Sequence, residues 1–276
     1  MTAPLYPPGT HGRIALFGSG ETARVGRRVH ELLMAAYKKP VPIAVIETPA
    51  GFQPNTNVLA TKVQAFFEHG LQNFKPEITI VPARWRGDGP NGTDDPSMLT
   101  GIENASYVFA GAGSPTYAVR HLADSRVWNC IAGRLETGAT LALASAMALA
   151  VSKYTLPVYE IFKVGEELSW TPGLDLFGSL GLDLELAIVP HWNNNEGGAD
   201  LDTSHCYMGE DRFTILRGML PPETVILAID EHTACVVDLG TEQARVHGAG
   251  SVRVLRGDET HTFPADETFP ISLLRQ

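Results

Sequence analysis

Cysteine is scarce in this chain: there are three in 276 residues, Cys130, Cys206 and Cys235, far apart and with no Cys-x-x-Cys pair. That pattern suggests neither a disulfide framework nor a thiolate metal site. Positive charge is outnumbered as well. Lys and Arg total 21 against 31 Asp and Glu, a formal net charge of −10, with no basic cluster. Nucleic acid and anionic membrane are therefore not expected as partners. No stretch approaches the ~20 apolar residues that a membrane span needs. The opening segment, Met1 to Thr10, holds three prolines and lacks the charged-then-apolar pattern of a signal peptide, so a cytoplasmic location is expected. Gly18-Ser19-Gly20 has Ala23 where a dinucleotide fingerprint needs its third glycine. Internal repeats, low-complexity tracts and linkers are missing too.

What is present is a composition that can bury a full core, 44% hydrophobic against 19% charged. Arg13–Phe17, Pro42–Ile46, Glu77–Val81, Tyr107–Ala110, Thr140–Ala144 and Leu184–Val189 are apolar runs of the kind a parallel sheet buries on both faces. Helical patterns alternate with them: one after Gly20, one from about Asn57 to His69, and one from Pro115 past Leu135. Another runs from about 211 to 219. The alternation predicts an α/β fold, a doubly wound and mostly parallel sheet flanked by helices. From Val225 onward only short strands remain, split by turn residues. The economical reading is one domain over 1–276, with an α/β core at 13–220 and a β-rich C-terminal extension at 221–276.

Chemistry centres on Leu141-Ala-Leu-Ala-Ser145-Ala-Met-Ala-Leu-Ala150. A strand runs into Ser145 and small residues continue as a helix, the layout that exposes a nucleophilic hydroxyl on a sharp turn beside a backbone amide. Taken alone, these residues fit a small buried Ser at a helix start at least as well. A base must lie within hydrogen-bond reach of a nucleophile, and a third group must orient the base. Of nine histidines, His191 directly follows a buried strand and opens the polar loop Trp192-Asn193-Asn194-Asn195. His232 is the second candidate. His30, His69 and His121 fall inside helices and are expected to be partly exposed. Glu160, Asp230 and Glu231 are the carboxylates able to orient the base. His191, His205 and Cys206 with Asp200 and Asp202 match no standard zinc spacing, so no metal is expected.

The order of these features resembles the cyanophycinase and aspartyl dipeptidase (dipeptidase E) family of serine peptidases, from about Arg13 to Phe263. Ile14-Ala-Leu-Phe-Gly-Ser-Gly-Glu21 is similar to the family's opening strand and Gly-Gly-x-Glu turn, and Phe109-Ala-Gly111-Ala-Gly113 to its glycine-rich turn. Gly138 to Ala148 lies over its nucleophile elbow, Pro190-His191-Trp192 over its histidine, and Ile229-Asp-Glu-His-Thr-Ala234 and Val246-His-Gly248-Ala-Gly250 over its last motifs. The resemblance implies a class I glutamine amidotransferase-like fold and a cofactor-free hydrolase of peptide, isopeptide or amide bonds. Ser145 would be the nucleophile, His191 the base and Glu160 the acidic member. Ala146 with Gly111 or Ala112 would supply the oxyanion amides, and Glu21, Gly113, Ser114 and Asn193 would complete the substrate-binding set.

The departures are specific. Leu143 and Met147 stand where the elbow has glycines, and could block the turn or narrow the pocket. The arginines that would follow the histidine are replaced by Asn193–Asn195, Glu196 and an acidic 200–211 segment, which disfavours aspartate-rich substrates. The partner expected is a small peptide or amide substrate, with self-association as a homodimer also open. A catalytically inactive relative, binding small molecules or peptides near Gly18–Glu21, Gly111–Ser114 and His191, is the alternative.

Overall fold

The computed structural model describes residues 11–275. The proline-rich opening, and with it any reading of its targeting content, lies outside the described residues. The first five apolar runs form β1 (Arg13–Phe17), β2 (Val41–Ile46), β3 (Pro76–Val81), β4 (Tyr107–Ala110) and β5 (Thr140–Ala144). They pair in parallel in the order β1-β5-β4-β2-β3. Their continuous hydrophobicity has a direct cause, because successive side chains enter different cores on opposite faces. Ile14, Leu16, Val108, Ala110, Leu141 and Leu143 pack on one face; Ala15, Phe17, Tyr107, Phe109, Ala142 and Ala144 pack on the other.

Helices cover both faces. On the second face lie α1 (Arg24–Met34), through Val29, Leu33 and Met34, and α2 (Thr56–Gly70), through Phe67. After the short α3 (Thr100–Glu103), the first face is covered by α4 (Pro115–Leu122), α5 (Arg126–Gly133) and α6 (Ala146–Ala150). The periodicity suggests one helix from 115 past 135, but the chain breaks between α4 and α5. Asp124 adopts a left-handed φ of 56°, and Ser125 Oγ accepts from the Trp128 amide to cap a new helix.

Beyond α6 come a two-stranded ribbon, β6 (Tyr154–Thr155) with β7 (Thr171–Pro172), and the short α7 (Leu176–Ser179). Residues 153–165 are expected as one extended piece; only the β6 portion is, and Glu160–Val164 forms a π-helical turn. Next follow β8 (Leu186–Val189), α8 (Ser204–Tyr207) and α9 (Gly209–Met219), then β9 (Val225–Ile229), β10 (Thr233–Asp238), β11 (Gln243–Gly248), β12 (Ser251–Arg256), β13 (Glu259–Pro264) and β14 (Thr268–Pro270). This β-rich C-terminal part is shared between two sheets. Strands β10, β11 and β14 extend the main sheet antiparallel beyond β1, giving eight strands, whereas β9, β12 and β13 join β8 in a second, four-stranded sheet. The second sheet packs Leu186, Ile188, Leu227 and Val254 into the core beneath α6. Its other face, with Val189 and Ala228, holds Phe213 and Leu216 of α9. The link from β9 to β10, residues 230–232, therefore passes from one sheet to the other.

Candidate active site

Strand β5 is pinned between β1 and β4, so its end is fixed by two neighbours. There Ser145 adopts φ 51° and ψ −112°, a conformation that costs an L-residue of order 1–3 kcal/mol and persists only where the surroundings impose it. Its amide donates to Phe17 O at 3.2 Å, and its carbonyl accepts the first bond of α6 from the Leu149 amide. From 138 to 152 it is the one residue that is not buried. Leu143 and Met147 do not block this turn. Both are buried in the core under α6, facing away from the cavity above Ser145.

His191 reaches the same place from a different sheet. It follows β8 rather than a strand of the main sheet, with its own left-handed φ of 53°, and its amide donates to Gly18 O at the end of β1. The Ser145 Oγ lies 2.9 Å from His191 Nε2, and His191 Nδ1 lies 3.1 Å from Glu231 Oε1. A carboxylate only accepts, so Nδ1 carries the proton and donates to Glu231. Nε2 is then the acceptor for the Ser145 hydroxyl, which is the tautomer a general base needs.

Glu231 is itself held. Asn194 Nδ2 donates to the same Oε1 at 2.9 Å, and the Glu231 amide donates to Asn193 Oδ1 at 2.7 Å. The hydrogen bond from His191, opposed by partial burial and helped by Asn194, keeps the Glu231 carboxyl below the usual glutamate range. Glu160 does not take this place. Its Oε1 accepts from the Thr116 hydroxyl, while both His191 nitrogens are engaged elsewhere. The offset from Ser145 along the chain points to Glu160, yet the link between the two sheets delivers Glu231 instead. Asp230, the other carboxylate considered, is occupied by Arg253 at 2.6 Å and the Ser251 amide at 2.9 Å.

A cavity of about 290 Å³ opens over Ser145, lined by Gly113, Ala146, Leu149, Tyr159, Phe162 and Tyr207 among others. Ala146 begins α6, so its amide has no partner inside the helix. Of the glycine-rich turn 111–113, Gly113 is the residue on this cavity. Gly111 and Ala112 face a separate cavity of about 220 Å³, together with Glu21. Gly113 has φ 157°, and a Cβ there would stand 1.9 Å from Pro49 O, so no other residue fits. Ser114 is buried and used locally, its Oγ accepting the Tyr117 amide to cap α4. Asn193 serves the Glu231 backbone rather than the cavity.

Sequence reasoning missed much of the cavity wall. Tyr159, Phe162 and Lys163 come from the π-helical turn, and Cys206 and Tyr207 from α8, whose residues 205–207 take left-handed φ values of 53°, 57° and 69°. Neither turn leaves a periodic mark in the chain. Among the described residues, no group of three His, Cys, Asp or Glu side chains is placed to hold a metal ion, and no helix is long and apolar enough to cross a membrane.

No family model and no curated protein matches the sequence. Solved structures do. A crystal structure of a peptidase from an acI-B1 Actinobacterium superposes with a TM-score of 0.72 at 22% identity, covering 94% of this chain and 97% of its own. The fold is one that peptidases use. A putative peptidase E protein from Listeria monocytogenes EGD-e shares it more distantly, with a TM-score of 0.53 at 13% identity over 93% of this chain and 100% of that one. At these identities the likeness is one of architecture.

Proposed function

We propose that the protein is a serine-nucleophile hydrolase of peptide, isopeptide or other amide bonds in small substrates, of the cyanophycinase and dipeptidase E kind, working without a cofactor. The observation carrying this reading is the strained Ser145, its Oγ 2.9 Å from His191 Nε2, with His191 Nδ1 held by Glu231. A binding module would have no use for strain at two residues that meet through one hydrogen bond.

In the proposed cycle His191 takes the hydroxyl proton as Ser145 Oγ attacks the substrate carbonyl. The negative charge that develops on the carbonyl oxygen is met by the amides of Ala146 and Gly113, each such donor being worth about 10²–10³ in rate. Glu231 stabilises the imidazolium. His191 then passes its proton to the leaving amine, whose bond to the carbonyl breaks, leaving an ester on Ser145. Water enters, His191 removes its proton, and collapse releases the acid and restores the hydroxyl. The placement of Leu143 and Met147 in the core supports the reading, because it leaves the cavity side of the turn open.

The test is covalent labelling by an uncharged alkyl fluorophosphonate. Wild-type protein is expected to take up one label, and Ser145→Ala none. Folded wild-type protein that refuses the label at high probe concentration overturns the proposal.

A further inference from the structure

The cavity over Ser145 carries two charges that the proposed chemistry leaves idle. Glu196 and Lys163 both line it, yet no ion pair joins them, and among the described residues neither has an oppositely charged partner within 4.0 Å. The Glu196 carboxylate receives one side-chain hydrogen bond, from the Tyr207 hydroxyl to Oε2 at 3.1 Å. Its loop is set by the Glu196 amide, which donates to Asn194 Oδ1 at 3.2 Å, so the residue is tied to the segment that also positions Glu231. Among the described residues, the second carboxylate oxygen has no side-chain donor.

An un-neutralised carboxylate on the wall of a cleft makes the potential there negative where the substrate must sit, and low-dielectric walls concentrate that field. Its natural complement is an ammonium or guanidinium, through a charge-assisted hydrogen bond. The remaining walls suit the same group. Tyr159, Phe162 and Tyr207 line the cavity, and aromatic faces attract cations. Two cations oppose this. Lys163 is an exposed side chain on a flexible stem, its Nζ 5.0 Å from the Phe162 ring centre. Arg212 lies over the same ring at 5.9 Å, but its guanidinium is committed to the carbonyls of Tyr207 and Met208. Glu196 is exposed as well, but the Tyr207 hydroxyl holds its carboxylate and Asn194 holds its amide, so it is the better placed of the competing charges.

We propose that Glu196 is the specificity-determining residue of this site and selects substrates bearing an ammonium or guanidinium group beside the scissile carbonyl. The proposal rests on the serine-hydrolase reading of the same cavity. It requires the opposite of an acid-selective pocket. It also gives Tyr207 a positioning role, since its hydroxyl aims the carboxylate.

Three matched fluorophosphonates, with an uncharged alkyl, an aminoalkyl and a carboxyalkyl tail, test it through their labelling rates on the full-length protein. The quantity read is the ratio of aminoalkyl to alkyl rate within each variant, so a general loss of reactivity cancels. The wild type is expected to favour the aminoalkyl probe about tenfold, as for one charge-assisted contact, and to take the carboxyalkyl probe slowest. Glu196→Gln should bring the ratio close to one, Glu196→Lys should invert it, and Tyr207→Phe should lower it part of the way. Protection of Ser145 from the alkyl probe by acetyl-lysine amide, against protection by alanine amide, then separates a basic side chain from a free amino terminus as the source of the cation. A wild-type ratio of one or less, or a raised ratio that survives Glu196→Gln, overturns the proposal while leaving the nucleophile intact. Failure of all three probes on folded wild type sinks the hydrolase reading instead, and this inference with it.

Discussion

Two carboxylates compete, at the scale of single residues, for the place behind His191, and the geometry separates them. Glu231 accepts the hydrogen bond from Nδ1, whereas Glu160 is bound to Thr116 and keeps a buried Oε2 with no hydrogen-bond partner among the described residues. Glu231→Gln should lower kcat by about 10³–10⁴, because an amide can reverse the imidazole tautomer. Glu160→Gln should cost less than about tenfold by the same logic, since it touches neither His191 nitrogen. Steady-state rates on one peptide substrate compare the two directly. The sign of the pH effect is also fixed. Glu231 sits below the ordinary glutamate value of 4.5 because its ionised form is hydrogen-bonded by His191 and Asn194. The stabilisation this gives is present above that ordinary value and fades as pH falls through the lower folded one. Asn194→Ala removes one donor, so the carboxyl should titrate at higher pH, read by carbon NMR of the Glu231 carboxyl group. Ser145 and His191 were legible as residues ending buried apolar runs. Glu231 was legible only as one of three, because chain spacing says nothing about which loop crosses between sheets.

Strands, among the elements, were easy to read where both faces are buried, since hydrophobicity then runs unbroken from Arg13 to Phe17 and from Thr140 to Ala144. What stayed hidden are elements defined by unusual backbone angles. The break at Asp124–Ser125 interrupts an apolar period that continues through it, and only the capping hydroxyl marks it. Ser125→Ala should therefore cost about 1 kcal/mol of stability, by denaturant melt, with labelling of Ser145 unchanged, since no residue of α5 lines the cavity over Ser145. The three consecutive left-handed residues of α8 are a different case. Each costs an L-residue roughly 1–2 kcal/mol, and they are held by the Cys206 amide to His191 O and by His205 packed between Trp192 and Phe213. That strain keeps Tyr207 against Glu196 on the cavity wall.

One side chain makes the stability of the whole molecule sensitive to acid. His30 is expected to be partly exposed on its helix, but it is 0% exposed, ringed by Phe17, Phe66, Phe67, Tyr107 and Phe109. Its Nε2 donates to the Glu21 carbonyl at 3.0 Å, so Nδ1 accepts from the Tyr107 hydroxyl at 2.6 Å and the ring is neutral. Burial lowers its pKa from 6.5 to about 4. The unfolded chain therefore binds a proton that the native protein refuses between those values, and stability present above pH 6.5 is lost on the way down to about 4. Unfolding free energies from denaturant melts should fall across that window by up to about 3 kcal/mol from this group. His30→Phe should flatten the slope even though the packing change itself costs stability. An unchanged slope would assign the acid sensitivity elsewhere.

The link between β9 and β10 has a consequence in time. Ser145 and His191 are 46 residues apart, and Glu231 comes another 40 later, just before the strand that pairs with β1. A ribosome has therefore delivered nucleophile and base well before it delivers the carboxylate. The β10 edge that seats that carboxylate is closed only by strands translated later still. Under the proposed chemistry, an unfinished chain beside other nascent polypeptides holds a serine that has no working partner. Hydrolysis waits for the final strands to dock, a safeguard written into chain order alone.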